Sequence, residues 1–387
     1  MQMISSIFLS SLIYLFCKPL FKSSKSQSRQ MERQKMKIMY IAYFDASVIS
    51  GVSKKIFDQC RAWSANHEVE LLVMTPKKPL KDVSGDGKFK IHFMIYKNRI
   101  QQIVLPFFIK TKHIDLIYFR YGTYHPIFEV IFHRLPTIIE FNSNHKLEHH
   151  NNLSRLKTLF HSLTRERLNR LAKGFVFVTD ELKADFSCKG RPSIVLGNSI
   201  DLKRFKILKP VYNASTKAVF IGTPGCEWHG VEVLPRLAEV LKDWEIHIIG
   251  YPRDYFDNKP ENVIIHGYLD IKDYQTILEQ CDVAIASLAL YKNNMTEGST
   301  LKLREYLAFG LPCIAGHRDV DFPEQVDYIL TVPNTSDGIL KDIQAVRRFA
   351  DAWKGKRVAR DSIKHLDTEY KENQRLDFFK YIIGTQQ

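Results

Sequence analysis

The chain has 387 residues, of which 45% are hydrophobic and 25% charged. That length exceeds one ordinary core and suits two domains of common size, and the balance is globular, which argues against a disordered chain. Lys and Arg outnumber Asp and Glu by 56 to 42, a formal charge of +14, which favours anionic partners such as phosphorylated metabolites, acidic lipid or nucleic acid.

Residues 1–35 stand apart, apolar at first and then basic. Residues 3–17 (MISSIFLSSLIYLFC) are apolar but hold four serines. They fall short of the roughly 20 apolar residues of a membrane span. They also lack the charged start and small-residue cleavage site of a secretory signal. Six basic residues against Glu32 follow, a local +5. The segment reads either as a weak membrane anchor, whose basic flank keeps the main body cytoplasmic, or as an artefact of translation assigned upstream of Met31 or Met36.

From residue 36 short apolar runs alternate with helix-like stretches. Residues 38–44 predict a strand. A polar loop with Gly51 follows, then an amphipathic helix over 53–63. Strands are predicted at 69–75, 116–120, 137–141 and 175–178, with a long helix over 152–171 between the last two. The pattern restarts with a strand at 218–221 that ends in Gly222. The loop TPGCEWHG and a helix over 231–241 come next. Strands at 245–249, 263–266, 283–286 and 313–315 complete the series, with a helix over 271–280. Such alternation predicts doubly wound parallel sheets. The join lies near 196–210, where GNSIDLKRF supplies loop chemistry. The expected organisation is an N-terminal Rossmann-like domain over 36–205, a second over 206–365, and a helix over 366–387 that packs back on the first. Ligands of such sheets bind beyond the C-terminal strand ends, so the cleft between the domains is the expected site.

Six scattered cysteines form no C-x-x-C pair and no zinc spacing, and fit a reducing compartment. A second basic stretch runs over 142–173, with seven Lys or Arg against two Glu and four histidines. It reads equally as a solvated helix face or as a surface for anionic lipid.

The chemistry concentrates in residues 296–316, TEGSTLKLREYLAFGLPCIAG. Ser299 or Thr300 can cap a helix. Glu305 lies inside it, and Gly310-Leu311-Pro312 ends it. A helix N-terminus attracts anions through free N–H groups and its dipole. Lys302 adds a charge in the first turn, so a diphosphate suits the place. Glu297 and Glu305 are ionised acceptors for sugar or ribose hydroxyls.

This segment resembles the Glu-(seven residues)-Glu motif of retaining GT-B glycosyltransferases of family 4, in a subtype reading L-K-x-R-E-Y-L-A-x-G-x-P. NSIDLKRF is similar to the interdomain element of that family, and FIGTPGCEWHGVE to its strand-loop-helix after the hinge. IYFRY at 117–121 and IIEFN at 138–142 are similar to N-domain segments of related enzymes. The resemblance covers residues 36–380. It implies two Rossmann-like domains facing each other across a cleft, and a UDP- or GDP-sugar donor held by the C-terminal domain. Glu297 would contact the transferred sugar and Glu305 the ribose. Ser299, Thr300, Leu301 and Lys302 would line the diphosphate, with Gly51 and Gly222 approaching it. The family commonly places Arg and Lys in the post-hinge loop; here Thr223 and His229 stand there, and His229 is left to donate a hydrogen bond. Asn142, Asn144 and His145 follow a strand end of the N domain and are the candidates for acceptor contact, His145 also for a general base.

The resemblance therefore implies a transferase, expected to use no cofactor and, for want of a D-x-D run, no essential metal. It would move a hexose with retention to a glycan or lipid-linked acceptor in surface polysaccharide synthesis, in the cytoplasm or at the inner membrane face. No D-x-D run stands beside the donor motif. Asp319 and Asp321 are read as loop residues. A nucleotide-sugar epimerase of the same architecture and a non-catalytic GT-B subunit are the alternatives. No nucleic-acid motif accompanies the charge.

Overall fold

The computed structural model describes residues 35–80, 87–97, 101, 109–122, 124–144, 164, 166–186 and 190–385. Met1–Met36 and Lys37–Gln387 are separate units, and every element described below belongs to the second. The expectations for residues 1–34, for His145 and for most of the helix at 152–171 lie outside the described residues. No helix among the described residues is long and apolar enough to cross a membrane.

The first half is a seven-stranded, all-parallel sheet. Its strands are β1 (Lys37–Tyr43), β2 (Glu68–Thr75), β3 (Lys90–Ile95), β4 (Leu116–Arg120), β5 (Thr137–Phe141), β6 (Gly174–Phe177) and β7 (Ser193–Val195), in the order β3-β2-β1-β4-β5-β6-β7. The reversal of direction about β1 is the topological switch of a Rossmann-like sheet, where ligands bind. Helices α1 (Gly51–Ser64), α2 (Pro126–Arg134) and α3 (Asp180–Phe186) cross over it. Helix α1 starts two residues earlier than its amphipathic pattern suggests. Ser50 and Ser53 form a reciprocal capping box, so Gly51 is the first helical residue and does not lie in a loop.

The second half is a six-stranded parallel sheet in the order β10-β9-β8-β11-β13-β15, with a two-residue ladder between β12 and β14. The strands are β8 (Lys217–Ile221), β9 (Glu245–Ile249), β10 (Val263–Ile265), β11 (Val283–Ile285), β12 (Glu297–Gly298), β13 (Cys313–Ala315), β14 (Arg318–Asp319) and β15 (Ile329–Thr331). Helices α4 (Leu234–Val240), α5 (Ile271–Glu279), α6 (Leu301–Phe309) and α7 (Ile343–Trp353) cover it. The helix expected over 231–241 opens with a 3₁₀ turn at Val231–Val233, and Pro235 sits in the first turn of α4. Both faces of this sheet are apolar, one carrying Leu303, Tyr306 and Leu307, the other Phe220, Leu234 and Ile248. That is why its strands read as short continuous hydrophobic runs.

The chain ends in α8 (Thr368–Gly384). Its start is tied to Ile200 by two backbone hydrogen bonds of 3.0 Å. Further along it lies on the first sheet: Trp63 donates to Glu372 at 2.8 Å, and Phe378 and Ile382 close on the bare Cα of Gly174.

Candidate functional site

The site is built around the N-terminus of α6. Thr300 holds the cap position, yet its side chain makes no capping bond. Ser299 does not cap either: its Oγ accepts from the Asn198 N–H at 2.6 Å and from Arg304 at 2.9 Å. Neither residue therefore acts as the side-chain cap that the sequence suggests. The cap side chain thus leaves the first N–H groups of the helix open to water or to a ligand.

Three buried polar atoms near this terminus have no hydrogen-bond partner: Thr300 Oγ1, Lys302 Nζ and His317 Nε2. The Lys302 ammonium lies 4.4 Å from the centre of the Phe220 ring. Burial holds its pKa down to about 7, with Cys226 opposing slightly, so the full charge expected of Lys302 is only partly present near neutrality. His229, expected to donate toward the phosphates, is kept neutral. Burial and then Lys302 hold its pKa to about 3, and its Nδ1 accepts the Thr223 N–H at 3.3 Å. His317 is bonded through Nδ1 to the Ser287 carbonyl at 3.1 Å, and burial lowers its pKa. Its ring packs where a Cβ on Gly298 would stand, 2.6 Å away. His317 was missed in the sequence; its only signal is the place after β13, at a C-terminal strand end.

Gly222 ends β8 with its N–H on the Ile249 carbonyl, and a Cβ there would meet the Tyr251 ring at 2.6 Å. Gly51 is one place where the halves come into close contact. A Cβ on it would lie 2.8 Å from Leu301 Cδ1, so the N-termini of α1 and α6 meet there.

Glu297 and Glu305 flank this terminus in different ways. Glu305 accepts a hydrogen bond from the Tyr274 hydroxyl, and burial raises its pKa. One oxygen is thus held while the other remains for a ligand. Glu297 is buried and pairs with Arg318. Its second oxygen accepts the Glu181 N–H at 3.1 Å, at the start of α3. Glu181 returns the contact by accepting the N–H groups of Thr296 and Glu297 at 3.0 and 3.1 Å. The two halves thus grip each other at Glu297.

Asp319 and Asp321 were expected in a loop; Asp321 does lie in a turn, Asp319 ends the two-residue strand β14, and both are engaged by one buried cation. Arg304, fully buried in α6, donates to Asp319 at 2.7 and 2.8 Å, to Asp321 at 2.6 Å and to the Asn198 carbonyl at 2.9 Å. Lys371 of α8 completes the group on Asp321. Arg304 thereby anchors α6 to the interdomain segment and to α8. Asn142 accepts from Lys55 at 2.5 Å, and Asn144 donates to Asp185 at 3.1 Å; both follow β5. His145, the remaining candidate, lies outside the described residues. No group of three or more His, Cys, Asp or Glu placed to hold a metal occurs among the described residues.

Residues 216–354 match the family described as "Glycosyl transferases group 1". Comparison with curated proteins finds no match. Among solved structures, the chain is similar to a glycosyltransferase from Rickettsia africae, with 13% identity over 90% of this chain and 99% of that one, TM-score 0.63. It is similar to HepE of Anabaena in complex with UDP-glucose, with 14% identity, 89% and 100% coverage, and TM-score 0.60. A putative UDP-N-acetylglucosamine 2-epimerase from Listeria monocytogenes is less similar, with 12% identity, 89% and 95% coverage, and TM-score 0.51. The fold is therefore that of GT-B glycosyltransferase structures, and the stretch that matches the glycosyl transferases group 1 model spans the second sheet.

Proposed function

We propose that the protein is a retaining glycosyltransferase that moves a hexose from a UDP- or GDP-sugar to a glycan or lipid-linked acceptor in surface polysaccharide synthesis, without a metal or cofactor. The observation that carries the reading is the set of unpartnered buried atoms, Thr300 Oγ1, Lys302 Nζ and His317 Nε2, near one helix N-terminus. A diphosphate there would accept from the first N–H groups of α6 and from Lys302, which would be fully protonated beside it. Glu305, already oriented by Tyr274, would accept from a ribose hydroxyl. The UDP-glucose complex of HepE supports a UDP-sugar as the first donor to try.

In the reaction, the bond from the anomeric carbon to phosphate breaks and the bond to the acceptor oxygen forms on the same face. The acceptor proton passes to the leaving phosphate oxygen. Charge builds on that phosphate, so stabilising it is the main catalytic term. Glu297 would hold hydroxyls of the transferred sugar once ligand displaces its contact with Glu181. The meeting of Gly51 and Leu301 would exclude water from the diphosphate. Association with the inner membrane face through the basic segments belongs to the same proposal.

A panel of UDP-, GDP- and ADP-sugars, read by thermal shift on the full chain and on Glu305→Ala, tests the donor site. A shift with one donor that disappears in the variant is expected. No shift with any donor sinks the transferase reading in favour of a non-catalytic subunit. Donor turnover that yields an epimer and no acceptor product would point to the epimerase.

A further inference from the structure

The first half buries a cluster of ionisable groups for which the donor reading has no use. Glu140, at the C-terminal end of β5, is 0% exposed. It accepts from Lys55 at 3.2 Å and from Tyr40 at 3.1 Å, and Arg375 and Arg120 stand 3.5 and 3.7 Å away. Glu372 pairs with Arg375 at 2.8 Å. Three cations thus face two carboxylates, and one positive charge is left over. Burial, with Arg120 and Arg375 adding to it, holds the Lys55 pKa down to about 8 in spite of Glu140.

Two donors at the edge of this cluster make no hydrogen bond within 3.5 Å: Arg120 Nη1, which has only the distant ion pair with Glu140 at 3.7 Å, and Asn142 Nδ2, which also faces Glu140. The Asn142 Oδ1 is already taken by Lys55. Native proteins rarely leave buried donors unpaired, and a buried surplus charge is costlier still. A water or hydroxyl would satisfy the donors but not the charge; an anion satisfies both. The position also suits a ligand. Arg120 ends β4, and Asn142 is one residue past β5, at the ligand side of a parallel sheet. Lys55 stands one helical turn beyond Gly51, which abuts the first residue of α6.

We infer that Lys55, Arg120 and Asn142 form a subsite for an anionic group, a carboxylate or a phosphate ester, carried by the acceptor. The word acceptor rests on the transferase reading; the anion rests on the cluster itself. An acidic sugar in the glycan would supply a carboxylate, and a lipid-linked or phosphorylated glycan a phosphate.

Calorimetry on the full chain tests this, with the diphosphate site first filled by saturating UDP. Methyl glucuronide, glucose 1-phosphate and neutral methyl glucoside are then titrated. At least one anion is expected to bind about tenfold or more tightly than the neutral glycoside, the scale of one charge-assisted hydrogen bond. A response to the glucuronide alone assigns the carboxylate, and to the phosphate alone the phosphate ester. Asn142→Asp supplies an internal carboxylate against Lys55 and Arg120. It is expected to raise Tm and abolish anion binding, whereas Asn142→Leu abolishes binding without raising Tm. Equal binding of neutral and anionic glycosides, no binding of either anion, or anion binding retained in Asn142→Asp overturns the subsite. If UDP itself gives no heat, the donor reading fails separately. The same titrations on the free protein then still decide the anion subsite.

Discussion

The two sheets share a topology but stabilise their interiors by different means. In the second, β8, β9, β11 and β13 carry apolar side chains to both faces, and the buried ions sit beside the sheet, around Arg304 with Asp319 and Asp321. In the first, ions and hydroxyls lie under the sheet itself. Tyr40, Tyr118 and Glu140 project from β1, β4 and β5 toward α1 and α8, where Lys55, Gln59, Glu372 and Arg375 meet them. An apolar interior holds its partner helices through contact area and tolerates small shifts. A hydrogen-bonded ionic interior fixes one arrangement and fails when a member is lost. The first half is thus built to hold α8 in one register, and α8 in turn reaches Asp321 beside the α6 helix.

The sharpest way to break this contrast is to remove the central carboxylate. Glu140→Ala leaves Lys55, Arg120 and Arg375 without their shared partner and is expected to cost about 3–5 kcal/mol at pH 7, the range for breaking a buried ion pair. Ile314→Val, in the apolar sheet, is expected to cost about 0.5–1.5 kcal/mol. The two also differ in pH dependence. Burial alone would raise the Glu140 pKa, but Lys55, Arg375 and Arg120 hold it well below the usual carboxylate range. A depressed folded pKa gives stability that is present above the unfolded value, about 4.3 for Glu, and is lost as pH falls below it. Urea titrations should therefore show the cost of Glu140→Ala shrinking between pH 5 and 3, with that of Ile314→Val unchanged. An equal cost at both pH values would mean that the ionic layer does not stabilise the first half.

The same contrast decides what the sequence disclosed. The apolar sheet advertises itself in short hydrophobic runs, and five of its six strands fall close to where the sequence places them; β15, three residues long at the sheet edge, was missed. The motif over 296–316 is local in the chain, so Glu297, Thr300, Lys302 and Glu305 were found together around one helix end. In the first half, β3 alternates with polar residues and β7 is three half-buried residues long, and both were missed. Arg120, Lys55 and Arg375 are separated by scores of positions and carry no shared pattern; only the fold gathers them on Glu140. The pairing of Asp319 and Asp321 with Arg304 was not seen because the partner sits in a helix 15 and 17 positions earlier, with no shared pattern. The neutral state of His229 and the weakened charge of Lys302 come from burial, which one sequence cannot reveal.

The next prediction sharpens the contrast at the α6 terminus, where one cation stands without a carboxylate. Lys302 has a pKa of about 7 in the free protein, and a bound diphosphate would raise it. Below pH 7 the lysine is protonated in both states and does not make affinity pH-dependent. Above pH 7 binding must take up a proton, so UDP affinity should fall up to about tenfold per pH unit. His229, with a pKa of about 3, does not titrate in this window. Calorimetry in two buffers of different ionisation enthalpy would read the proton uptake directly. Lys302→Met should bind more weakly and with a flat profile between pH 7 and 9. A wild-type profile that is flat over the same range would place the diphosphate away from Lys302.

The smallest expected effect concerns how the second half positions its own acceptor group. Tyr274 carries no charge in this range, because burial and then Glu305 push its pKa far up. Its hydroxyl donates to Glu305 and holds one carboxylate oxygen. Tyr274→Phe removes that hydrogen bond and keeps the ring in its pocket, so stability should change by only about 0.5–1.5 kcal/mol. The carboxylate then gains freedom, and burial raises its pKa without opposition from the tyrosine. If Glu305 receives the ribose hydroxyls, UDP affinity should fall about three- to tenfold, and the affinity for a dideoxyribose analogue of UDP should hardly change. The discriminating quantity is the ratio of the two affinities, which should shrink in Tyr274→Phe. A merely structural tyrosine would weaken both nucleotides equally and leave that ratio where it was.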